Sequence, residues 1–398
     1  MEYRLIKENE IEAVIKLVQQ VAKEFIFANL ESNGSKDFDQ LNTKEFYLDK
    51  SNLTYICLND NKIIGMVSLS KGNYLSLLFV DKQYQRKGIG KRLVEIIDNL
   101  VLGDLEVNAA INTRSFYEHL GFKINGNLEK KEGILYYPMI KIRSVKKRFN
   151  NYDEVVEFIS SQKNRVYSLD NFKRYMEDLG NPQLILDCVH IGGTNGKGST
   201  TNYIKEVLKQ SGYKIATFTS PALYSRLDII RINDQFIDEQ TMVDYANRYV
   251  DLWLKYEISM FEIEVFIAIM YFIEQKVDLA LFEVGLGGLL DATNIIMPKL
   301  AINTNIGLDH VDYLGHDYQS IALNKAGIVK DGIDYLTGET KTECLEVFNE
   351  ICRRHHSKLL TLQPITNILD SNNVSYRYRG YDIILDTPAL YQIYNSAL

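Results

Sequence analysis

The spacing of apolar and polar residues along the chain predicts two blocks of alternating strands and helices, separated over residues 141–152 by a basic stretch without clear apolar periodicity. In the first block, residues 11–29 carry the spacing of an amphipathic helix. Leu53–Asn59, Lys62–Ser70 and Tyr74–Val80 read as a strand meander joined by tight polar turns, and a helix follows over residues 87–100. In the second block a strand over residues 184–192 runs into a glycine-rich loop, then a helix over 199–211 and a strand over 214–219. Helices are predicted at Glu239–Tyr256, 261–275 and 320–330, and strands at 277–283 and 299–304, with a late hairpin over 376–386. Strands alternating with helices imply an α/β fold: a mixed sheet with helices in residues 1–143, a connector at 144–152, and a mostly parallel, buried sheet in 153–398.

Composition changes this picture only by exclusion. A chain of 398 residues exceeds what one core usually organises, and 46% hydrophobic with 24% charged residues is ordinary globular usage. A formal charge of −7 gives no general field for nucleic acid, and six histidines with four scattered cysteines leave little material for zinc clusters. Cys57, Cys188, Cys344 and Cys352 form no CxxC pair, so reduced thiols are expected. No apolar run reaches the roughly 20 residues that span a bilayer, and no basic segment leads into an apolar core at the start, so the expected place is the cytoplasm, with neither membrane nor nucleic acid as partner.

Candidate chemistry is concentrated in Gly192-Gly193-Thr194-Asn195-Gly196-Lys197-Gly198-Ser199-Thr200, between a predicted strand and a predicted helix. Backbone N–H groups in that setting can surround phosphate oxygens, Lys197 can neutralise the β and γ phosphates, and the hydroxyl of Ser199 or Thr200 can reach a magnesium ion. The common P-loop pattern is not met, because Ile191 stands where it has glycine and Gly198 separates the lysine from the first hydroxyl. The competing reading is a tight glycine turn.

With its surroundings the loop resembles the nucleotide loop of Mur-type ligases in the folylpolyglutamate synthase and dihydrofolate synthase branch. The resemblance runs through Leu179-Gly180-Asn181-Pro182-Gln183, Thr219-Ser220-Pro221, Glu283-Val284-Gly285-Leu286-Gly287-Gly288, Asp291-Ala292-Thr293-Asn294, Leu308-Asp309-His310 and Lys325-Ala326-Gly327-Ile328, in the family's order and spacing. It implies ATP contacts at Gly193, Thr194, Asn195, Gly196, Lys197, Gly198, Ser199, Thr200 and Asn395, magnesium ligands at Ser220, Glu283 and His310, and a carbamate on Lys325. It implies pterin contacts at Leu290, Asp291 and Ala292, with Phe261 and Glu262 near that pocket. The implied reaction activates a folate or dihydropteroate carboxylate as an acyl phosphate with ATP, which the amine of L-glutamate then opens to an amide. Ala222, Ile229 and Leu289 depart from the pattern, standing where histidine, arginine and arginine are usual. The resemblance also implies further strands and a glutamate-binding domain beyond residue 398, so a truncated ligase is expected.

The first block has its own anion motif. Gln85-Arg86-Lys87-Gly88-Ile89-Gly90 follows a predicted strand and opens a helix, and it resembles the acetyl-CoA motif of GNAT-type N-acetyltransferases; Asn112 and Ser115-Phe116-Tyr117-Glu118-His119-Leu120-Gly121-Phe122 match that family's later motif. The resemblance implies acetyl-CoA contacts at Val80, Gln85, Arg86, Lys87, Gly88, Ile89, Gly90 and Asn112, with Tyr117 as the acid that protonates the departing thiolate. The acetyl acceptor, the general base and the oligomeric state stay open. So does the choice between a bifunctional fusion, an acetyltransferase carrying an inactive nucleotide-binding fragment, and a non-enzymatic nucleotide-binding or docking module.

Overall fold

The computed structural model describes residues 1–25, 42–49, 51–101, 103–131, 134–142, 147–164, 169–370 and 372–398. Residues 26–29 of the first expected helix and residues 143–146 at the expected boundary lie outside the described residues. The chain divides into two compact units, Met1–Lys146 with Met176–Pro182, and Lys147–Tyr175 with Gln183–Leu398.

The first unit is built as β1 (Glu2–Leu5), α1 (Ile11–Phe25), α2 (Lys44–Leu48), β2 (Leu53–Asn59), β3 (Lys62–Ser70), β4 (Tyr74–Val80), α3 (Ile89–Leu100), β5 (Leu105–Ala110), α4 (Arg114–His119), β6 (Lys123–Ile124), β7 (Glu129–Lys131) and β8 (Ile134–Lys141). The strands form one sheet in the order β1-β2-β3-β4-β5-β8-β6, with β7 on β8. The meander has the expected bounds because its turns carry the left-handed conformation: Asp60 and Asn61 close one, Lys71 and Gly72 the next. Alternation then sends Ile56 to a core with Val14 and Val18 of α1, and Tyr55 and Cys57 to the opposite core with Leu93 and Ile97 of α3. β4 and β5 pair in parallel at Tyr74–Glu106 and Leu75–Val107, and among the described residues the rest of β4 has no strand on that side.

Apart from Met176–Asp178 at the end of α6, which belong to the first unit, the second unit continues with α5 (Tyr152–Ser161), α6 (Leu169–Asp178), β9 (Cys188–Gly192), α7 (Lys197–Gln210), β10 (Ile215–Phe218), β11 (Ile230–Ile232), β12 (Gln235–Phe236), α8 (Glu239–Tyr256), α9 (Met260–Glu274), β13 (Leu279–Glu283), β14 (Leu300–Asn303), α10 (Val311–Leu314), α11 (Tyr318–Lys325), β15 (Tyr335–Thr337), α12 (Thr342–Arg354), β16 (Leu359–Thr361), β17 (Thr366–Leu369), β18 (Val374–Tyr378), β19 (Tyr381–Leu385) and α13 (Gln392–Ala397). Its main sheet has the order β12-β11-β10-β13-β9-β14-β15-β16 and is parallel from β10 to β16. Ile191, Ile215, Leu281 and Ile302 pack under Ile204 and Leu208 of α7, while Phe282 meets Phe272 of α9 on the other face. β9 is flanked by β13 on one side and β14 on the other, which puts its carboxyl end at the crevice where open parallel sheets bind ligands. All four cysteines are free and buried. Among the described residues, no helix is long and apolar enough to cross a membrane.

Candidate functional site

The strand β9 is buried throughout, and the chain must leave it abruptly to start α7. Gly193 has φ of +133°, and a Cβ there would lie 1.9 Å from Thr304 Oγ1; Gly196, at φ +83° immediately before α7, would place one 2.1 Å from Asn395 Oδ1. Only glycine meets both the backbone and the contact requirement. The outer side of the loop is braced by Asn305, which accepts from the N–H of Thr194 (2.9 Å) and of Asn195 (3.1 Å). The first-turn N–H groups of α7 have no acceptor inside the helix and lie at the positive end of its dipole, the usual seat of a phosphate.

Two lysines and one carboxylate surround this turn. Lys197 Nζ folds back on the carbonyls of Gly193 and Thr194, each at 3.3 Å, and Lys325 Nζ, from the end of α11, donates to Gly193 O at 3.0 Å. Lys325 is only 4% exposed; burial first, and then the charge of Lys197, draw its pKa down to about 8. Glu283, at the end of β13, is 5% exposed. Burial pushes its carboxyl up to about 7 against the pull of Lys197 and the N–H of Ser220. Of the two candidate hydroxyls, Thr200 is fully buried and donates to Asn395 O (3.3 Å), whereas Ser199 is part-exposed and accepts from Gln392 (3.4 Å). Ser199 is thus the hydroxyl available to a ligand.

Ser220 and Glu283 line one cleft, and the half-exposed His310, beside Asp309 at 3.6 Å, is not in that lining. Among the described residues, no three His, Cys, Asp or Glu side chains converge as a metal site. Oxygen donors at Ser199, Ser220 and Glu283 are nonetheless of the kind magnesium prefers, and a buried carboxylate with a raised pKa is a group that a divalent cation would return to its charged form.

The residues expected at the pterin are arranged differently from one another. Leu290 is exposed, Ala292 is buried, and the Asp291 carboxylate turns into its own loop, accepting from the N–H of Leu286 (2.8 Å) and Thr293 (2.9 Å) and from the Thr293 hydroxyl. Glu262 closes a capping box with Ser259 at the start of α9, and the Phe261 ring sits against Gly285, where a Cβ would lie 2.6 Å from it. Sequence reading missed Asn305, although a polar Asn303-Thr304-Asn305 run ending a buried strand was its signal. It also missed Lys330, which donates to Asn294 O (2.8 Å) and Oδ1 (2.7 Å), and for which nothing local gave a signal.

In the first unit, Val80 ends β4, Gln85 donates to its carbonyl (3.0 Å), and Gly88 at φ +83° turns the chain into α3. Lys87 rides over the Tyr84 ring at 4.8 Å, and Gly90 admits Phe116, which would be 3.4 Å from a Cβ there. Asn112 lies in an exposed turn after β5. Tyr117 is 6% exposed and packs edge-on between Phe116 and Phe122, and burial raises its phenol well above the ordinary range.

The second unit resembles solved structures and curated proteins. Residues 191–361 match the Mur ligase middle domain, and residues 26–143 of the first unit match the acetyltransferase (GNAT) domain. A dihydrofolate synthase/folylpolyglutamate synthase of Bacillus subtilis is 37% identical over 201 residues, 49% of this chain and 47% of that protein. A folylpolyglutamate synthase of Lacticaseibacillus casei is 35% identical over 197 residues, 47% and 46% of the two. The chain spans about half the length of these curated relatives. Among solved structures, an FPGS complex with AMPPCP and folate superposes with a TM-score of 0.57 at 29% identity, covering 62% of this chain and 65% of that one. The folylpolyglutamate synthase of Thermotoga maritima gives 0.55 at 30% identity, covering 62% and 60%.

Proposed function

We propose, for a chain whose residues 26–143 belong to the GNAT acetyltransferases and whose residues 191–361 are a Mur ligase middle domain of the folylpolyglutamate and dihydrofolate synthase branch, that it carries ATP-dependent ligation of L-glutamate to a folate or dihydropteroate carboxylate, joined to acetyl-CoA-dependent N-acetylation. The observation that carries the ligase reading is the meeting of Lys197, Lys325 and Glu283 around the Gly193 turn. In this reading the first-turn amides of α7 and Lys197 hold the β and γ phosphates of ATP, and Ser199 presents its hydroxyl to the same group. The acid's carboxylate oxygen attacks the γ phosphorus, ADP departs, and the glutamate amine then displaces phosphate from the acyl carbon. Magnesium held by Ser199, Ser220 and Glu283 would supply neutralising charge on the phosphates. His310 belongs to the same proposed ligand set, from the neighbouring loop. Lys325, drawn down to about 8 by burial, has a larger neutral fraction near pH 7 than an ordinary lysine, and a neutral amine is the form that takes up CO₂ as a carbamate.

On the first unit, the amides at the start of α3 seat the pyrophosphate of acetyl-CoA, and Tyr117 is the candidate acid for the thiolate. A tyrosine phenol already keeps its proton at neutral pH, as that role requires, and burial holds the one on Tyr117 more firmly.

Calorimetric titration with AMPPCP and magnesium tests the ligase site. The wild-type chain is expected to bind, and Lys197→Ala to weaken binding by about 100-fold or more, the scale of losing a preorganised charged contact to phosphate. Equal affinity in the two proteins would remove the loop from the mechanism.

A further inference from the structure

The cleft beside the phosphate loop has a volume of about 310 Å³ and runs further than the proposed reaction uses. At one end are Gly198, Ser220 and Glu283; at the other are Lys205 and Arg231. Gly198, Thr201 and Lys205 fall on one face of α7, Thr217 of β10 and Thr219 just past its end line the opposite wall, and Thr201 and Thr217 are almost wholly buried. The cleft is therefore a half-open slot, partly polar and partly apolar, continuous with the place where the γ phosphate is proposed to react.

Its charges are unequally spent. The Asp228 carboxylate is taken up by the N–H groups of Leu223, Tyr224 and Ser225 at 2.8–3.3 Å. Lys205 is paired with Glu206 (2.8 Å) and Asp234 (3.4 Å). Arg231 is held in place without being neutralised: its Nε donates to Asp228 O at 2.9 Å and its guanidinium lies 4.7 Å from the Phe236 ring centre. Those two contacts fix the plane of the guanidinium and leave both Nη groups without an acceptor among the described residues. A preoriented planar fork lining this cleft is a receptor for a carboxylate.

We propose that Arg231 reads a second carboxylate on the acid being ligated, so that the acyl substrate of this chain carries a glutamyl-type tail with two carboxylates and is not a pteroate with one. The assignment rests on the ligase reading given above. The reacting carboxylate must reach the Lys197 end of the slot, and a monocarboxylate would finish there. In a glutamyl tail the two carboxylates are separated by a few bonds on one residue, so the non-reacting one extends along the slot toward Arg231.

The test is calorimetric titration of the full chain, saturated with AMPPCP and magnesium, with pteroylglutamate and with pteroate. Wild type is expected to hold pteroylglutamate about tenfold tighter or more, the value of one charge-assisted bidentate pair. Arg231→Gln is expected to bring the ratio of the two dissociation constants to about one, and Arg231→Lys to leave it in between, as a point charge lacking the fork. Affinity for AMPPCP reports that each variant is folded. Equal affinities in wild type, or an undiminished ratio in a folded Arg231→Gln, would overturn the assignment and leave the ligase reading standing. If AMPPCP binds and neither acid does, the ligase reading fails and this assignment with it.

Discussion

His190 lies on β9 two residues before Gly192, fully buried, with Nε2 2.8 Å from Thr293 Oγ1. The Thr293 hydroxyl donates its own proton to Asp291, so it must accept from His190, which fixes the Nε2–H tautomer; Nδ1 has no hydrogen-bond partner among the described residues. Burial, with the nearby charge of Lys330, draws the imidazole pKa down to about 3. The folded state therefore refuses a proton that the unfolded state binds near pH 6.5, and stability rises with pH between about 3 and 6.5 by ~1.4 kcal/mol per unit before levelling off. The one tryptophan, Trp253, is buried in the second unit and reports its unfolding. Urea titrations from pH 4 to 7 followed through its fluorescence are expected to give His190→Gln a shallower acid slope than wild type by about that amount; equal slopes would mean that the folded imidazole is not held neutral. At this scale the phosphate loop is legible in the sequence because its chemistry is local, with glycine, lysine and hydroxyl within nine residues. Asp291 shows the limit: an acidic residue beside a glycine-rich turn reads equally as a ligand contact or as a brace for amides, and only the fold shows the carboxylate turned inward.

The short turn Arg226–Ile229 illustrates how elements are tied together. Ser225 and Asp228 close its start as a capping box, and Arg226 reaches inward to the buried Glu264 of α9, with further contacts to Ser160 of α5 (3.1 Å) and Met260 (3.2 Å). Burial pushes the Glu264 carboxyl up, and Arg226 opposes that shift. Arg226→Met strands the carboxylate and is expected to cost about 3–5 kcal/mol, whereas Arg226→Met with Glu264→Leu recovers most of it, because two apolar groups replace a desolvated pair. Urea midpoints of the single and double variants, read through Trp253, check this; an additive double variant would show that the two charges do not interact. The elements legible in the sequence are those whose ends are set locally. The meander strands end at left-handed turns, and the late hairpin turns at Arg379-Gly380, both with positive φ. Elements bounded by distant contacts are less so. The apolar run 184–192 gave no alternation to mark where β9 starts, and its first part is a 3-10 turn over Pro182–Ile185. The helix expected to reach residue 330 stops at Lys325, where Asn324 O accepts from Leu289 N–H at 3.0 Å and the chain tightens over Ala326–Ile328.

Over the whole molecule, a net charge of −7 repels polyphosphates, so any affinity for them comes from short-range groups and not from a long-range field. Among the described residues each compact unit offers such an arrangement, a strand, a glycine with positive φ and a helix start: Val80 to Gly88 and α3 in the first, Gly192 to Gly196 and α7 in the second. Because each grip is made of residues from its own unit, the two ligand responses should be separable by mutation. At Gly88 there is open space for a side chain but φ is +83°, so Gly88→Val strains the backbone by roughly 1–3 kcal/mol without a steric clash and moves the amides that start α3. This variant is expected to lose the rise in melting temperature caused by acetyl-CoA while keeping the one caused by AMPPCP with magnesium. Lys197→Ala is expected to do the reverse, since the cation it removes is 3.3 Å from the Gly193 and Thr194 carbonyls. Thermal-shift titration of both variants with both ligands checks the pattern; a variant that loses both responses while keeping its melting temperature without ligand would show that the two sites are energetically coupled.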